Sequence, residues 1–174
     1  MRKKSTIELH RLSSSDYAAT PKLPLRVVLD NVRSQHNIGS VFRTSDAYLV
    51  DEIELCGICC CPPNNELHKT ALGAEETVRW RYWQDSLAAV QALHEEGYKV
   101  FAVEQAFGSI PLGDYAYDTP LAVVFGHEVF GVSQNVIDAC DGCIELPQFG
   151  TKHSLNVSVT AGIVIYTIAQ ALLV

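Results

Sequence analysis

Long apolar runs are missing from this sequence. Hydrophobic residues make up 48% of its 174 residues, yet no run reaches the roughly 20 residues that a membrane helix needs. The basic start at residues 1–5 is not followed by the apolar core of a signal peptide. We therefore expect a cytoplasmic protein with no membrane contact, and a chain of this length is enough for one domain with an ample core.

Basic residues are also scarce. The 13 Lys and Arg are outnumbered by 20 Asp and Glu, which gives a net charge of −7 and argues against a nucleic-acid partner. The charge is uneven, however, because residues 1–24 hold a net +3 and residues 25–174 a net −10. We interpret residues 1–24 as a basic N-terminal arm, either a solvated tail or a segment that contacts RNA.

Glycine-rich phosphate loops are absent as well. Neither Gly-x-Gly-x-x-Gly nor a P-loop occurs, so a generic nucleotide-binding protein is the least favoured interpretation. Six cysteines include the pairs Cys56/Cys59 and Cys140/Cys143, which could bind zinc. The first pair lies on a predicted strand, where residues three apart point to opposite faces. We therefore favour reduced, mostly buried thiols and no metal site.

Apolar runs of strand length alternate with amphipathic segments. The predicted strands are residues 25–30, 53–58, 78–83, 99–104, 121–125 and 143–146. The predicted helices are residues 37–47, 85–96 and 157–173, each with a polar residue able to cap its start: Asn37, Asp85 and Asn156. Residues 62–70 are predicted to form a long polar loop. This alternation indicates an α/β fold with a mainly parallel sheet.

The last third of the chain organises the predicted site. A glycine-containing turn, residues 126–133, follows the buried strand at 121–125, and a polar loop at 147–155 precedes the last helix. Such turns and loops meet where ligands bind in parallel sheets, at the carboxyl ends of the strands. We therefore place the ligand site there.

Three motifs resemble those of the TrmH (SpoU) family of SPOUT RNA methyltransferases. Residues 37–47 (Asn-Ile-Gly-Ser-Val-Phe-Arg-Thr-Ser-Asp-Ala) resemble the first motif, residues 126–131 (Gly-His-Glu-Val-Phe-Gly) the second and residues 146–158 the third. They occur in the family's order, and the likeness covers roughly residues 25–172. The resemblance implies a SPOUT-like domain over residues 25–174, with helices on both faces of the sheet and a C-terminal deep trefoil knot that no sequence pattern would indicate.

The same resemblance implies an enzyme that moves a methyl group from S-adenosylmethionine to a ribose 2′-hydroxyl of tRNA or rRNA. This chemistry needs positioning and proton removal but no metal. The resemblance also implies a homodimer joined through the C-terminal helix, where an apolar surface is offered by Ile163, Val164, Ile168, Ala169 and Leu172. Two alternatives stay open, a SPOUT methyltransferase that acts on a base nitrogen and a non-catalytic RNA-binding protein of the same fold.

The resemblance also implies which residues line the cofactor pocket. Glycines permit close backbone approach, and loop backbone supplies specific hydrogen-bonding groups. The positions that match the family's cofactor-binding residues, together with the end of the preceding strand, are Gly126, Gly131, Leu146, Leu155, Val103 and Glu104.

Arg43 matches the arginine to which the family's ribose methylation is attributed, although a helical arginine is more often simply exposed or ion-paired. A guanidinium with a pKa of ~12 or more is an implausible free base. We prefer a role in holding an RNA phosphate and stabilising the developing 2′-alkoxide, with a base function left open. By resemblance, Asn37, Glu128, Ser154 and Asn156 form the polar network that orients the ribose and this arginine.

Basic side chains are also expected to gather near these loops. Half of the Lys and Arg within residues 25–174, joined by three histidines, lie in or beside the predicted site loops: Arg33, His36, Arg43, His68, Lys69, Lys152 and His153. The sequence therefore allows a local basic patch on an acidic domain.

Overall fold

Residues 1–5 and 7–173, which the structure describes, form a seven-stranded sheet with helices on both faces in this computed structural model. The strands are β1 (Leu23–Asp30), β2 (Val50–Cys56), β3 (Arg79–Trp83), β4 (Lys99–Val103), β5 (Ile110–Pro111), β6 (Leu121–Phe125) and β7 (Gly142–Glu145). The helices are α1 (Ser14–Ala19), α2 (Gln35–Ala47), α3 (Asn65–Ala71), α4 (Ser86–Glu95), α5 (Gln134–Ala139) and α6 (Val157–Leu173), with 3-10 turns at Ile7–Leu9 and Ala74–Glu76.

The strand order is β3-β2-β1-β6-β4-β7-β5, and all the pairings between these strands are parallel. The register sets Leu29 beside Phe125 and Val103 beside Ile144, so β1, β6, β4 and β7 end at one edge of the sheet. The loops that leave these strands therefore meet there. The predicted mainly parallel sheet with helices on both faces is confirmed, while the knot stays a prediction.

The two faces of the sheet bury separate apolar clusters. On one face, Leu29 of β1 belongs to the cluster that includes Phe42 of α2 and Ile165 of α6. On the other, Val28 of β1 packs in the cluster that contains Leu93 of α4. Neighbouring residues of β1 serve opposite clusters because side chains alternate along a strand, which is why the consecutive residues 27–29 are all apolar.

A buried charge network lies on the α4 side of the sheet, where β1, β2 and β3 run side by side. Glu54 is fully buried and accepts hydrogen bonds from Arg26 at 3.0 Å, Arg81 at 2.8 Å and the Trp83 indole at 2.7 Å. Glu52 and Glu96 also pair with Arg26 and Arg81, at 2.5–3.4 Å. The register explains the grouping, because Glu54 lies directly opposite Arg81 on β3.

The predicted strands are all present, with ends displaced by at most three residues, but the start of α2 was predicted wrongly. Ser34 is the N-cap, and its hydroxyl accepts from the backbone N–H of Asn37 at 3.3 Å, so Asn37 lies inside the first turn. The helix begins earlier because the carboxylate of Glu128, distant in sequence, binds the backbone N–H groups of Arg33 and Ser34.

The polar loop predicted at residues 62–70 is also corrected, because α3 occupies much of it. Asn64 caps this helix by accepting from the N–H groups of Glu66 and Leu67, both at 3.0 Å. The helix packs closely on α2, where a Cβ on Gly39 would lie 2.2 Å from the carbonyl oxygen of Leu67. A short helix with few apolar residues depends on such a tertiary contact, so its sequence pattern alone does not indicate it.

The apolar surface predicted on the last helix is partly wrong. Val164, Ile168 and Ala169 are fully buried in the protein's own core. Ile163 is exposed as predicted, and it shares one face of α6 with two other large exposed side chains, Val159 and Tyr166.

Part of the basic N-terminal arm is ordered. Ser13 caps α1 by accepting from the N–H of Asp16, and Tyr17 is buried against the core with 5% of its surface exposed. The 3-10 turn at Ile7–Leu9 has no buried residue. The arm therefore packs on the domain through α1, and its contact with RNA stays a prediction.

The cysteines are free thiols, and the first pair is placed differently from the prediction. Cys56 ends β2, while Cys59 lies in the turn that follows, with its N–H donating to the Cys56 carbonyl. Burial raises the pKa of Cys59 to about 12. Over the described part of the chain, no group of His, Cys, Asp and Glu is arranged to hold a metal ion, and no helix has the length and apolar character to cross a membrane.

We predict that Glu54→Ala strongly destabilises the fold. The substitution leaves Arg26 and Arg81 without their most buried acceptor, and removing one member of a buried ion pair typically costs about 3–5 kcal/mol. Urea denaturation at neutral pH measures this change. Asp118→Ala is the control, because the Asp118–Lys99 pair is exposed and should add almost nothing. Equal stability of the two variants would contradict a structural role for the network.

Candidate active site

Glu128 holds together two motifs that are far apart in sequence. It lies in the turn after β6 and accepts hydrogen bonds from the backbone N–H groups of Arg33 at 3.0 Å and Ser34 at 2.9 Å. It also accepts from the side-chain amide of Asn37 at 2.9 Å. Burial disfavours its charged form, but the bonds from Arg33, Asn37 and Ser34 outweigh that effect and lower the pKa of Glu128. The carboxylate is therefore ionised at neutral pH and engaged with the start of α2.

Asn37 extends this contact to the last helix. Its side-chain oxygen accepts from the side-chain amide of Asn156 at 3.1 Å. The side-chain oxygen of Asn156 in turn accepts from the N–H of Ser158 at 2.9 Å and so caps α6. The structure thus brings Glu128, Asn37 and Asn156 into one chain of hydrogen bonds across the three motifs.

The turn from Gly126 to Gly131 has no room for side chains at its two glycines. His127 and Gly131 exchange backbone hydrogen bonds at 3.0 and 2.8 Å, which closes the turn on itself. A Cβ on Gly126 would lie 2.0–2.3 Å from backbone atoms of Gly131 and Val132. Gly131 has a φ of +69°, and a Cβ there would lie 2.1 Å from the Glu104 carboxylate. Both glycines are therefore required by the shape of the turn.

Glu104 braces the same turn from the end of β4. One oxygen of its carboxylate accepts from the N–H of Val132 at 3.1 Å, and the other accepts from the N–H of Gln105 at 2.8 Å. The side-chain amide of Gln105 donates to the carbonyl of His153 at 2.6 Å. The loop after β4 is therefore tied both to the turn and to the polar loop before α6.

These loops enclose a cavity of about 930 Å³, within the size range of cofactor sites. All the residues predicted to bind the cofactor line it: Val103, Glu104, Gly126, Gly131, Leu146 and Leu155. Glu128 and Ser154 line it too, which places two of the predicted catalytic residues at the same cavity. Apolar side chains and loop backbone together form its wall, an environment that suits a nucleoside-containing ligand.

Arg43 is not part of this cavity. It is exposed on α2, and neither a hydrogen bond from its guanidinium nor an ion pair is present among the described residues. It lines a separate surface hollow of about 450 Å³ together with Ser40, Thr44, Ala47, Tyr48, Lys69 and Thr70. Asn37 and Asn156 also lie outside the cavity lining but reach it through Glu128. Within one chain, the predicted catalytic arginine therefore lies apart from the other predicted site residues.

The predicted basic patch divides into paired and unpaired residues. His36 and Lys69 both contact Glu66, at 3.2 and 2.7 Å, and His68 contacts Glu75. Four exposed residues of this predicted patch pair with no carboxylate of residues 1–5 and 7–173: Arg33, Arg43, Lys152 and His153. Within the patch, Arg33, Arg43 and Lys152 are therefore cations that can bind an external anion.

Sequence reasoning missed the role of Asp30. This carboxylate ends β1 with 1% of its surface exposed, and it accepts from both the N–H and the hydroxyl of Ser133, at 2.9 and 2.8 Å. It also accepts from the hydroxyl of Ser86 at 2.5 Å. Asp30 thus anchors the segment after the glycine turn to the neighbouring strand, and an acidic residue directly after the apolar residues 27–29 was the available signal.

Known proteins of one family resemble this chain. The model of the SpoU rRNA Methylase family matches residues 24–166. A tRNA (guanosine(18)-2'-O)-methyltransferase of Thermus thermophilus is 33% identical over 142 residues, which cover 82% of this chain and 72% of that protein.

Solved structures share the fold. The AdoMet-bound rRNA methyltransferase of Sinorhizobium meliloti matches with a TM-score of 0.82 at 23% identity, over 91% of this chain and 61% of that one. A structure concerned with the 2-OH methylation of C/U34 on tRNA matches with a TM-score of 0.76 at 26% identity, over 87% of this chain and 99% of that one. The first likeness concerns the fold alone, and this chain spans less than two thirds of the Sinorhizobium chain.

We predict that Gly126→Ala destabilises the protein whereas Gly150→Ala does not. The added methyl of Gly126→Ala meets backbone atoms that cannot move aside independently, while nothing lies within 4 Å of a Cβ on Gly150. Overpacking of this kind costs about 1–3 kcal/mol, which corresponds to a loss of roughly 2–12 °C in melting temperature for a chain of this size. Differential scanning calorimetry of the two variants measures the difference. Indistinguishable melting temperatures would show that the turn can relax.

Proposed function

This chain belongs to the SpoU rRNA methylase family, and from that premise we propose that it transfers a methyl group from S-adenosylmethionine to a ribose 2′-hydroxyl of tRNA or rRNA. The observation that carries the proposal is the cavity at the carboxyl edge of the sheet. Its lining includes Gly126, Leu146 and Leu155. Glu128 also lines the cavity and is hydrogen-bonded to Asn37 of the first motif. The Thermus relative, named as a ribose 2′-O-methyltransferase, supports the same reaction.

The cavity suits the proposed cofactor. When bound, S-adenosylmethionine supplies an electrophilic methyl group on a sulfonium sulfur. The residues that hold it are the backbones of Gly126, Leu146 and Leu155, with Val103 and Phe125 as apolar walls. Loop backbone can hold such a ligand because its N–H and C=O groups are fixed by the braced turn before the ligand arrives.

The remaining site residues position the RNA. Ser154 is exposed and lines the cavity, so its hydroxyl can orient a ribose. The start of α2 is positioned by the hydrogen bonds among Asn37, Glu128 and Asn156. Because Arg43 lies on α2, these bonds also help to fix the direction in which it points. In this role Arg43 binds an RNA phosphate and stabilises the negative charge that develops on the 2′-oxygen as its proton leaves.

A homodimer resolves the separation of Arg43 from the cavity. Arg43 lies roughly 9 Å along α2 from Asn37, on a different face of the helix. The hollow that Arg43 lines is also lined by Tyr48. The ring of Tyr48 packs edge-on against that of Tyr166 of α6, with ring centroids 5.7 Å apart. We propose that a second copy of the chain docks on the exposed face of α6 and so reaches the border of this hollow. The site would then be completed between two chains.

Relatives suggest which RNA to test first. The Thermus relative and a solved structure that matches this chain over 99% of its own length both concern tRNA, so tRNA is the first substrate to test. We further propose that residues 1–24, with their net +3 charge, add phosphate contacts to the domain at residues 25–174.

The proposal is tested by nucleoside analysis. RNA from a strain that lacks the gene is incubated with purified protein and isotopically labelled S-adenosylmethionine, digested to nucleosides and separated by mass. The expected product is one 2′-O-methylated nucleoside. A labelled base would select the base-methylating alternative, and cofactor binding without any labelled RNA would select the non-catalytic one.

We predict that Arg43→Ala lowers methyl transfer far more than cofactor binding. The guanidinium would act on charge that develops only in the transition state, and loss of one such group costs about two to three orders of magnitude in rate. Single-turnover transfer to unmodified RNA measures the rate, and calorimetry measures affinity for S-adenosylmethionine.

Two further variants sharpen this test. Arg43→Lys should recover little, because an ammonium cannot reproduce the planar fork of donors. Arg79→Ala, at an exposed arginine on the far edge strand, should transfer methyl groups at close to the wild-type rate. Near-normal transfer by Arg43→Ala would remove Arg43 from the catalytic site.

We predict that Tyr166→Glu converts a homodimer into monomers and abolishes methyl transfer. A charge in the centre of the exposed face of α6 would have to be desolvated on association. Sedimentation equilibrium should give 19.1 kDa for this variant and twice that mass for the wild type. Ile58→Asp, at an exposed apolar residue on another part of the surface, should remain dimeric. A fully active monomer would refute the proposal that two chains complete the site.

A further inference from the structure

Two phenylalanines project into solvent at the cavity. Phe107 is 111% exposed and Phe130 is 83% exposed, relative to an extended chain, and both line the cavity. Phenylalanine is among the residues most often buried, and large exposed apolar side chains beside a cavity indicate a binding surface. Neither ring packs into the described hydrophobic core, so both rings are available to an external partner.

Both rings are presented by constrained turns. Phe130 lies inside the closed turn between His127 and Gly131, and its ring packs against the His127 ring with centroids 4.9 Å apart and planes tilted by 33°. Phe107 precedes Gly108, whose φ is +83°, in a turn that the Ser109 N–H closes onto the carbonyl of Ala106 at 3.1 Å. The Phe130 ring, and the backbone that presents Phe107, are therefore fixed in advance, which lowers the entropy lost when a flat partner stacks there.

The position of the rings identifies the partner. A ribose whose 2′-hydroxyl reaches the cavity belongs to a nucleotide whose base lies at the cavity mouth, so that base must leave its stack. Lys152 is exposed, forms no ion pair among the described residues and adjoins His153 of the cavity lining, so it can accompany the phosphates of the strand. Exposed aromatic faces beside free cations are the usual surface for unpaired nucleotides.

We propose that Phe107 and Phe130 form a stacking site for an unpaired nucleobase of the RNA, at or next to the nucleotide that is methylated. The inference rests on the proposed function and narrows its substrate to RNA that is single-stranded, or becomes so, at the target. The rings act as positioning residues, because they hold the base and through it the ribose.

The test measures RNA binding and methyl transfer in parallel. The binding probe is a fluorescently labelled single-stranded oligoribonucleotide, compared with a fully paired duplex of the same sequence. Phe107→Ala and Phe130→Ala should each weaken single-strand binding about five- to a hundredfold, the usual contribution of one stacked base. Duplex binding should change little. In methyl transfer to RNA from the strain that lacks the gene, the variants should raise KM for RNA more than they lower kcat.

Matched substitutions separate stacking from simple apolar contact. Phe107→Tyr and Phe130→Tyr retain an aromatic face and should bind the single strand like the wild type. Phe107→Leu and Phe130→Leu retain an apolar side chain without that face and should behave like the alanine variants. Tyr82→Ala, at a 50% exposed aromatic residue on the opposite edge of the sheet, should have no effect.

Other outcomes would overturn the inference. Unchanged single-strand affinity in the alanine variants, or full recovery by leucine, would exclude stacking. A loss of S-adenosylmethionine affinity measured without RNA would assign the rings to the cofactor, and a change in oligomeric state would assign them to a subunit contact. If the wild type binds single strands through the rings but methylates no RNA, the proposed function fails while the stacking site stands.

Discussion

The carboxylate of Glu128 is the interaction on which the rest of the site depends. It joins the turn after β6 to the start of α2 through two backbone N–H groups and the amide of Asn37. Hydrogen bonds to an ionised acceptor are stronger than neutral ones, and here they also replace the missing intrahelical partners at a helix start. Asn156 then connects α6 to the same group. Without this acceptor, the three motifs would be neighbours in space with nothing to hold their relative positions.

Several other carboxylates around the site also hold loops in place by accepting hydrogen bonds from the protein. Asp30 and Glu104 accept from the backbone of the segment after the glycine turn, and Glu145 accepts from the hydroxyl of Ser109. Elsewhere, Glu54 is enclosed by two arginines. Hydrogen bonds from neutral donors position these carboxylates but do not cancel the net charge of −7. Contacts with RNA phosphates are instead available from loop and helix cations that pair with no described carboxylate, such as Arg33, Arg43 and Lys152.

The helices and strands that were predicted correctly are those whose local sequence, such as an apolar run or a capping residue, specifies them. β6 is apolar at every position and matches the predicted residues 121–125, as expected of a strand buried on both faces. Asp85 caps α4 by accepting from the N–H of Leu87, and Gly97, with a φ of +86°, follows its end. Asn156 caps α6 at the predicted residue. The residues predicted to bind the cofactor also lie at one cavity, because parallel strands of known order must place their following loops together.

The sequence by itself therefore determined the α/β class, the ends of α4 and α6 and the family motifs, since each depends on neighbouring residues and on backbone geometry. Tertiary structure alone decided where α2 begins, because the groups that Glu128 satisfies are far from it in the chain. It also decided which face of α6 is free, because a helix that is apolar on most sides contains no signal for which side the sheet will cover. Tertiary structure likewise decided how far Arg43 lies from the cavity. Its place on α2 follows from local structure, but its distance from the loops depends on how two remote segments pack.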